Sequence, residues 1–82
     1  MFPLHRFVTV PDGPVQSITL YKGSVYWSAG LSIYACPTAG CTDATKSTVA
    51  KDTSLIEGFA VDDLAFYWAT TFNGRLRKLV RP

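Results

Sequence analysis

Two stretches of sequence, QSITLYKGSVYW at residues 16–27 and EGFAVDDLAFYW at residues 57–68, decide the fold of this 82-residue chain. Each stretch ends in a Tyr-Trp pair, and the spacing from Trp27 to Trp68 is 68 − 27 = 41. Because 41 is half of 82, the chain consists of two copies of one unit. Within each copy, apolar and small residues alternate ahead of the Tyr-Trp pair, which is typical of short β-strands.

The length of the repeat indicates the architecture. A period of about 40–50 residues made of short strands is typical of a β-propeller blade. Two blades cannot close a propeller, because the smallest common propellers have about four. The sequence therefore predicts an all-β chain of two propeller blades that must be completed by other chains.

The strands of the two copies follow from the same alternation and from turn residues. Lys22-Gly23 separates the first two strands, and Asn73-Gly74 is a strong tight-turn signal in the second copy. The third strands are offset by 43 rather than 41, since the second connecting loop is slightly longer. We predict four strands in the first copy, at about 15–20, 24–28, 31–36 and 47–51. We predict three in the second copy, at about 56–61, 65–70 and 75–80.

The fourth strand of the second copy lies at the opposite end of the chain. Phe7-Val8-Thr9-Val10 precedes the first copy as residues 48–51 precede the second, again at a spacing of 49 − 8 = 41. We predict one blade over about 14–51, and a second over about 55–81 that residues 6–10 of a neighbouring chain complete. Exchange of this outer strand would close a head-to-tail ring. Three chains would form a homotrimer of six blades, with a dimer and a tetramer as the alternatives.

Composition limits the classes of partner. Hydrophobic residues make up 48% of the chain and charged residues only 17%, which favours apolar faces covered by another subunit. The net charge of +2 is too small to indicate binding of nucleic acid or of an anionic membrane. No apolar run reaches the roughly 18–20 residues of a membrane span. The first residues lack the apolar stretch of a signal peptide, so we expect a soluble protein and predict no compartment.

Two cysteines, Cys36 and Cys41, flank a short segment that contains Pro37 and Gly40. A disulfide between them would close a turn, and a loop this small contributes about 2 kcal/mol in the chain-entropy model. Two unpaired thiols are an alternative. A metal site is a further alternative, but two thiols without a nearby histidine supply only half of a zinc site.

The Tyr-Trp pairs, the phrase from Gly58 to Asp62 and the period of 41 together resemble six-bladed propellers of the NHL and YWTD type. This resemblance covers nearly the whole chain and implies the propeller fold. In the YWTD type the dipeptide is followed by Thr-Asp, whereas Ser28-Ala29 and Ala69-Thr70 follow it here. The resemblance says little about chemistry, because one fold hosts many functions.

Glu57 is the main candidate for chemistry. Glu57-Gly58-Phe59 resembles the Glu-Gly-Pro of gluconolactonase-type propeller hydrolases, in which the glutamate binds metal at the central channel. In a trimer, three Glu57 carboxylates would alternate with three Gln16 side chains around the axis and repel one another unless a cation relieved them. The resemblance thus implies a divalent cation, such as calcium or zinc, on the axis. The opposing interpretation is a solvated glutamate at the start of a strand.

The remaining polar residues favour structural roles. His5, the only histidine, leads into an outer strand, so we expect it on the surface near a blade seam. Asp62 and Asp63 lie between two strands, where turn capping and hydrogen bonding between blades are expected. The basic residues of the last predicted strand are expected on a solvated edge, with phosphate binding as the alternative: Arg75, Arg77, Lys78 and Arg81.

The function expected from the sequence is a self-assembling scaffold or binding module with its ligand at the channel mouth. The alternative is a metal-dependent hydrolase of lactones or phosphotriesters that uses Glu57. A third interpretation is an excised or designed part of a longer propeller. No catalytic residue can be named beyond the candidate ligands Glu57 and Gln16.

Overall fold

A computed structural model describes residues 14–42, 44–70 and 74–81 of the chain. These residues form seven antiparallel strands in two sheets. The first sheet has the order β1-β2-β3-β4, built from β1 (Val15–Tyr21), β2 (Ser24–Ala29), β3 (Ser32–Pro37) and β4 (Ser47–Lys51). The second has the order β5-β6-β7, built from β5 (Ile56–Val61), β6 (Ala65–Thr70) and β7 (Leu76–Val80).

The prediction of an all-β chain with one sheet of four strands and one of three is confirmed. Every strand predicted within the described residues is present close to its expected bounds. The predicted strand at residues 7–10 lies outside the described residues. The blade boundaries and the ring stay predictions. No helix occurs among the described residues, so none there is long and apolar enough to cross a membrane.

The two sheets repeat each other in register as well as in sequence. Trp27 pairs with Ile18 in the first sheet, and Trp68 pairs with Phe59 in the second. The third strands match at an offset of 77 − 34 = 43, since Trp27 pairs with Tyr34 and Trp68 with Arg77. Each position in one sheet therefore has a definite counterpart in the other.

The first hairpins of the two sheets have equally long turns of different conformation. Lys22 and Gly23 both have positive φ, 46° and 79°, which suits the tight turn that matches the twist of a hairpin. In the second sheet the carboxylate of Asp62 accepts hydrogen bonds from the backbone N–H groups of Leu64 and Ala65, each at 2.8 Å. The predicted capping role of Asp62 is confirmed.

The main core lies between the two sheets. One face of the first sheet contributes Tyr26 and Ile33, and the facing side of the second contributes Phe66 and Trp68. The rings of Tyr26 and Phe66 meet edge to face with their centroids 5.2 Å apart. Three of the four aromatic residues of the Tyr-Trp pairs are buried, whereas Tyr67 is only half-buried, because it lies on the outward face of the second sheet.

A smaller cluster lies on the outward face of the first sheet. Trp27 and Tyr34 pack there with the Cys36–Cys41 disulfide, which joins the end of β3 to the loop before β4. The half-buried Val25 completes this cluster. In the structure the two cysteines are thus bonded to each other, and the cross-link covers part of a sheet face.

Candidate functional site

Gln16 and Glu57 line one cavity, although they belong to different copies of the repeat. The cavity has a volume of about 300 Å³ and lies where β1 and β5, the first strands of the two sheets, begin. Both side chains are exposed. The other described residues of its wall are Pro14, Gly30, Leu55 and Ile56. The structure thus brings the two candidate ligands of the sequence to a common site, with mostly apolar walls.

The position of both side chains follows from an irregularity that the sheets share. The pairing of β1 with β2 shifts between Val15 and Ser17, and that of β5 with β6 shifts between Ile56 and Gly58. Gln16 and Glu57 are therefore the residues without a partner at two equivalent β-bulges. A bulge bends the strand and re-aims a side chain, and bulges are frequent beside functional sites.

The described residues of one chain give the cavity one carboxylate and one carboxamide. Among the described residues no group of three His, Cys, Asp or Glu side chains lies close enough together to hold a metal ion. A metal at Glu57 would need ligands beyond the described residues of one chain, so the cation expected from the sequence stays a prediction. Cys36 and Cys41 belong to the cluster around Trp27, and His5 lies outside the described residues.

A buried carboxylate that the sequence analysis did not single out lies between the two sheets. Asp52 follows β4, its side chain is only 4% exposed, and its Oδ2 accepts a hydrogen bond of 2.8 Å from the indole Nε1 of Trp68. Arg77 on β7 places its Nε 3.2 Å from the same oxygen, while its side chain is 44% exposed. The backbone N–H of Thr53 donates to Oδ1 at 2.7 Å.

These partners explain the acidity of Asp52. The hydrogen bond from Trp68 lowers the pKa of the Asp52 carboxyl most, followed by the backbone N–H of Thr53. Burial opposes these two effects, and the charge of Arg77 adds a smaller lowering effect. The carboxylate is ionised at neutral pH and joins the end of the first sheet to two strands of the second. Its role is structural.

An aspartate precedes the tryptophan at a similar distance in both copies of the repeat. Asp52 precedes Trp68 at a spacing of 16, and Asp12 precedes Trp27 at a spacing of 15. Asp12 lies outside the described residues. The indole Nε1 of Trp27 is buried and has no hydrogen-bond partner among the residues that the structure describes. In an alignment of the two copies around their tryptophans, the two aspartates differ by one position, so only an alignment with a one-residue gap matches them.

A second polar contact joins the sheets at their hairpin turns. The hydroxyl of Tyr21 donates to the carboxylate of Asp63, and the Nζ of Lys22 lies 2.7 Å from the same Oδ1. The guanidinium of Arg81 stacks 5.5 Å from the ring centroid of Tyr21. The predicted contact of Asp63 across the two sheets is confirmed. The side chains of Lys22 and Asp63 are each 69% exposed, so this ion pair adds little stability.

No known protein family, curated protein or solved structure matches this chain.

Proposed function

We propose that the chain is one subunit of a ring-shaped β-propeller that serves as a scaffold or binding module, with its ligand at the mouth of the central channel. One observation carries the proposal. The exposed apolar faces of the two sheets are the repeat counterparts of the two faces that pack against each other inside the chain.

The outward face of the second sheet is one of these exposed surfaces. Leu76 and Val80 on β7 lie there with Tyr67, and we call this surface the tail face. Ile33, the counterpart of Leu76 in the first sheet, is fully buried in the core between the sheets, whereas Leu76 is 88% exposed. Large exposed apolar side chains grouped on one face are typical of an interaction surface.

The other exposed surface is the part of the outward face of the first sheet that β1 forms. Ile18 and Leu20 lie there, 68% and 71% exposed, and we call this surface the head face. Their counterparts in the second sheet are Phe59 and Val61. Both counterparts are half-buried against the core between the sheets.

The internal packing is therefore a template for the proposed contact between chains. Inside the chain, Phe59 and Val61 pack against the cluster that contains Ile33. By the same arrangement, Ile18 and Leu20 of one chain would pack against Leu76 of the next. Head-to-tail contacts of this kind generate closed rings when the rotation between subunits closes. A second copy of the chain is thus the occupant that fits both exposed faces.

The charges at the hairpin turns agree with this arrangement. Inside the chain, Lys22 of the first turn pairs with Asp63 of the second. The two residues are counterparts in the repeat, so a neighbouring chain would place its Lys22 beside Asp63 across the head-to-tail contact. Every contact between neighbouring blades would then bring a lysine next to an aspartate. In a ring of three chains, lysines and aspartates would alternate around the hairpin turns.

Substitution of Leu76 tests the proposal. Burial of one leucine side chain contributes about 1.5–3 kcal/mol, and an aspartate at this position adds the cost of a buried charge. We expect Leu76→Asp to weaken each contact between chains by about tenfold or more, so that light scattering detects single chains. The matched control is Leu64→Asp, which changes a leucine that is 70% exposed in the turn between β5 and β6. This control is expected to assemble normally.

Mixing two variants separates head-to-tail assembly from a symmetric contact. Leu76→Asp blocks the tail face and Ile18→Asp blocks the head face, so each variant alone is expected to stay a single chain. Mixed in equal amounts, they retain one intact head face and one intact tail face, and we expect a complex of two chains that does not grow. Single chains in the mixture, or unaffected assembly of either variant, would contradict the proposed faces.

A metal-dependent hydrolase is the other function expected from the sequence. Among the described residues of one chain, Glu57 supplies the one carboxylate of the cavity. The hydrolase therefore depends on ligands beyond the described residues of one chain, which the proposed ring would supply. No observation on one chain favours it over a binding module.

A further inference from the structure

We infer that the cavity lined by Gln16 and Glu57 binds a small organic cation, an ammonium group carried on a short apolar body. The inference rests on the proposed ligand site at the channel mouth and names the chemical class of its ligand. Three properties of the cavity carry it: its size, its uncompensated charge and its apolar walls.

The size of the cavity limits the ligand. Its volume of about 300 Å³ is at the lower end of the roughly 300–1,000 Å³ usual for small-molecule sites. The walls formed by Pro14, Leu55 and Ile56 are mostly carbon. Leu55 is 42% exposed, although its neighbour Ile56 is only 1% exposed, so the cavity retains apolar surface that a ligand could cover. A short hydrocarbon chain fits these walls.

The charge of the cavity selects a cation. Glu57 makes no ion pair with any other described residue, whereas Asp52 and Asp63 each have a basic partner. Among the described residues that line the cavity there is no lysine or arginine. A carboxylate next to apolar walls attracts a positive group, and a charge-assisted hydrogen bond is about twice as strong as a neutral one. The side-chain carbonyl of Gln16 offers a second acceptor.

An organic cation fits this set of groups better than a metal ion does. Calcium takes about 6–8 oxygen ligands and magnesium about six. The described side chains of the cavity offer one carboxylate and one amide oxygen, and the rest of its described wall is apolar. An alkylammonium ion has three N–H donors and a hydrocarbon chain, so two acceptors and an apolar wall can hold both of its parts.

The test compares three probes on the full chain: n-butylammonium chloride, ammonium chloride and calcium chloride. Titration followed by amide chemical shifts is expected to show saturable binding of n-butylammonium, with shifts centred on Gln16, Leu55 and Glu57. Ammonium, which has no apolar body, is expected to bind at least about tenfold more weakly. Calcium binding tighter than that of n-butylammonium would overturn the inference, and so would equal binding of the two ammonium ions.

Two variants locate the site. Glu57→Gln keeps the shape of the side chain and removes its charge, and we expect about a tenfold or greater loss of n-butylammonium affinity. Asp62→Asn removes one negative charge outside the cavity while asparagine still caps the turn, so its affinity is expected to match that of the parent. Equal affinity of Glu57→Gln and the parent would overturn the inference.

Measuring the mass of the complexes in the same samples distinguishes a failure of the proposed ring from a failure of the proposed ligand class. Rings that bind no n-butylammonium would contradict the ligand class and leave the scaffold intact. Single chains that bind n-butylammonium with the expected selectivity would contradict the ring and support the proposed ligand class of the cavity.

Discussion

A chain that lacks residues 1–10 is expected to fold its two sheets and to lose assembly completely. The reason is the free edge of β7, which pairs with β6 on one side only among the described residues. In the first sheet the corresponding strand β3 also pairs with β4, through contacts such as that of Ile33 with Ala50. The sequence at residues 7–10 is the counterpart of β4 and is the segment proposed to pair with β7 of a neighbouring chain.

The control for this deletion is a shorter one. Removing residues 1–5 deletes His5 and leaves the proposed strand, so this variant is expected to assemble like the parent. Both variants can be compared with the parent by light scattering over a range of concentrations. A chain without residues 1–10 that still forms the parent's complex would show that the strand is not exchanged.

Replacing Asp52 is expected to cause the largest loss of stability from a single polar side chain. Asp52→Ala leaves the buried indole N–H of Trp68 without an acceptor and removes the partner of Arg77. An unsatisfied buried donor costs about 1–3 kcal/mol, and hydrogen bonds to a charged group are worth about 1.5–3 kcal/mol. We therefore expect a decrease of about 3 kcal/mol in the free energy of unfolding, measured by denaturant titration at one protein concentration. Asp52→Asn keeps an acceptor for the indole and is expected to lose less.

The pH dependence provides a second measurement on the same variants. The folded-state pKa of Asp52 is lowered, so its stabilisation is complete above the unfolded value of about 3.9 and is lost as pH falls through the folded value. The difference in unfolding free energy between the parent and Asp52→Asn is expected to be largest near pH 7 and to shrink below about pH 4. Asp62 also has a lowered pKa, chiefly through the backbone N–H of Leu64, but it is present in both proteins and cancels in the difference. A difference that is unchanged between pH 7 and pH 3 would contradict the role given to Asp52.

The strands were predictable because the pattern that defines them is local. Alternation around Tyr26-Trp27 and Tyr67-Trp68 places the first two strands of each sheet, and turn residues such as Gly23 mark their ends. The shared period also predicted that Gln16 and Glu57 are equivalent. Their location in one cavity was expected only through the proposed ring, whereas the structure brings them together within a single chain.

The contacts between the sheets were less predictable because they depend on tertiary packing. Nothing within residues 51–54 indicates that Asp52 is buried, and its partners Trp68 and Arg77 lie on β6 and β7, in the other sheet. The cavity likewise depends on a shift in strand pairing at Gln16 and Glu57, which alternation alone does not reveal. Leu76 is exposed and its counterpart Ile33 is buried because only the first sheet has another sheet against that face, and alternation within one strand does not reveal this difference.

The mass of the native chain in solution tests the central claim most directly. One chain has a mass of 9.0 kDa, and a ring of three has three times that mass. Light scattering coupled to size-exclusion chromatography is expected to give the mass of three chains, held over a range of concentrations. A folded species of 9.0 kDa that persists at high concentration would contradict the ring.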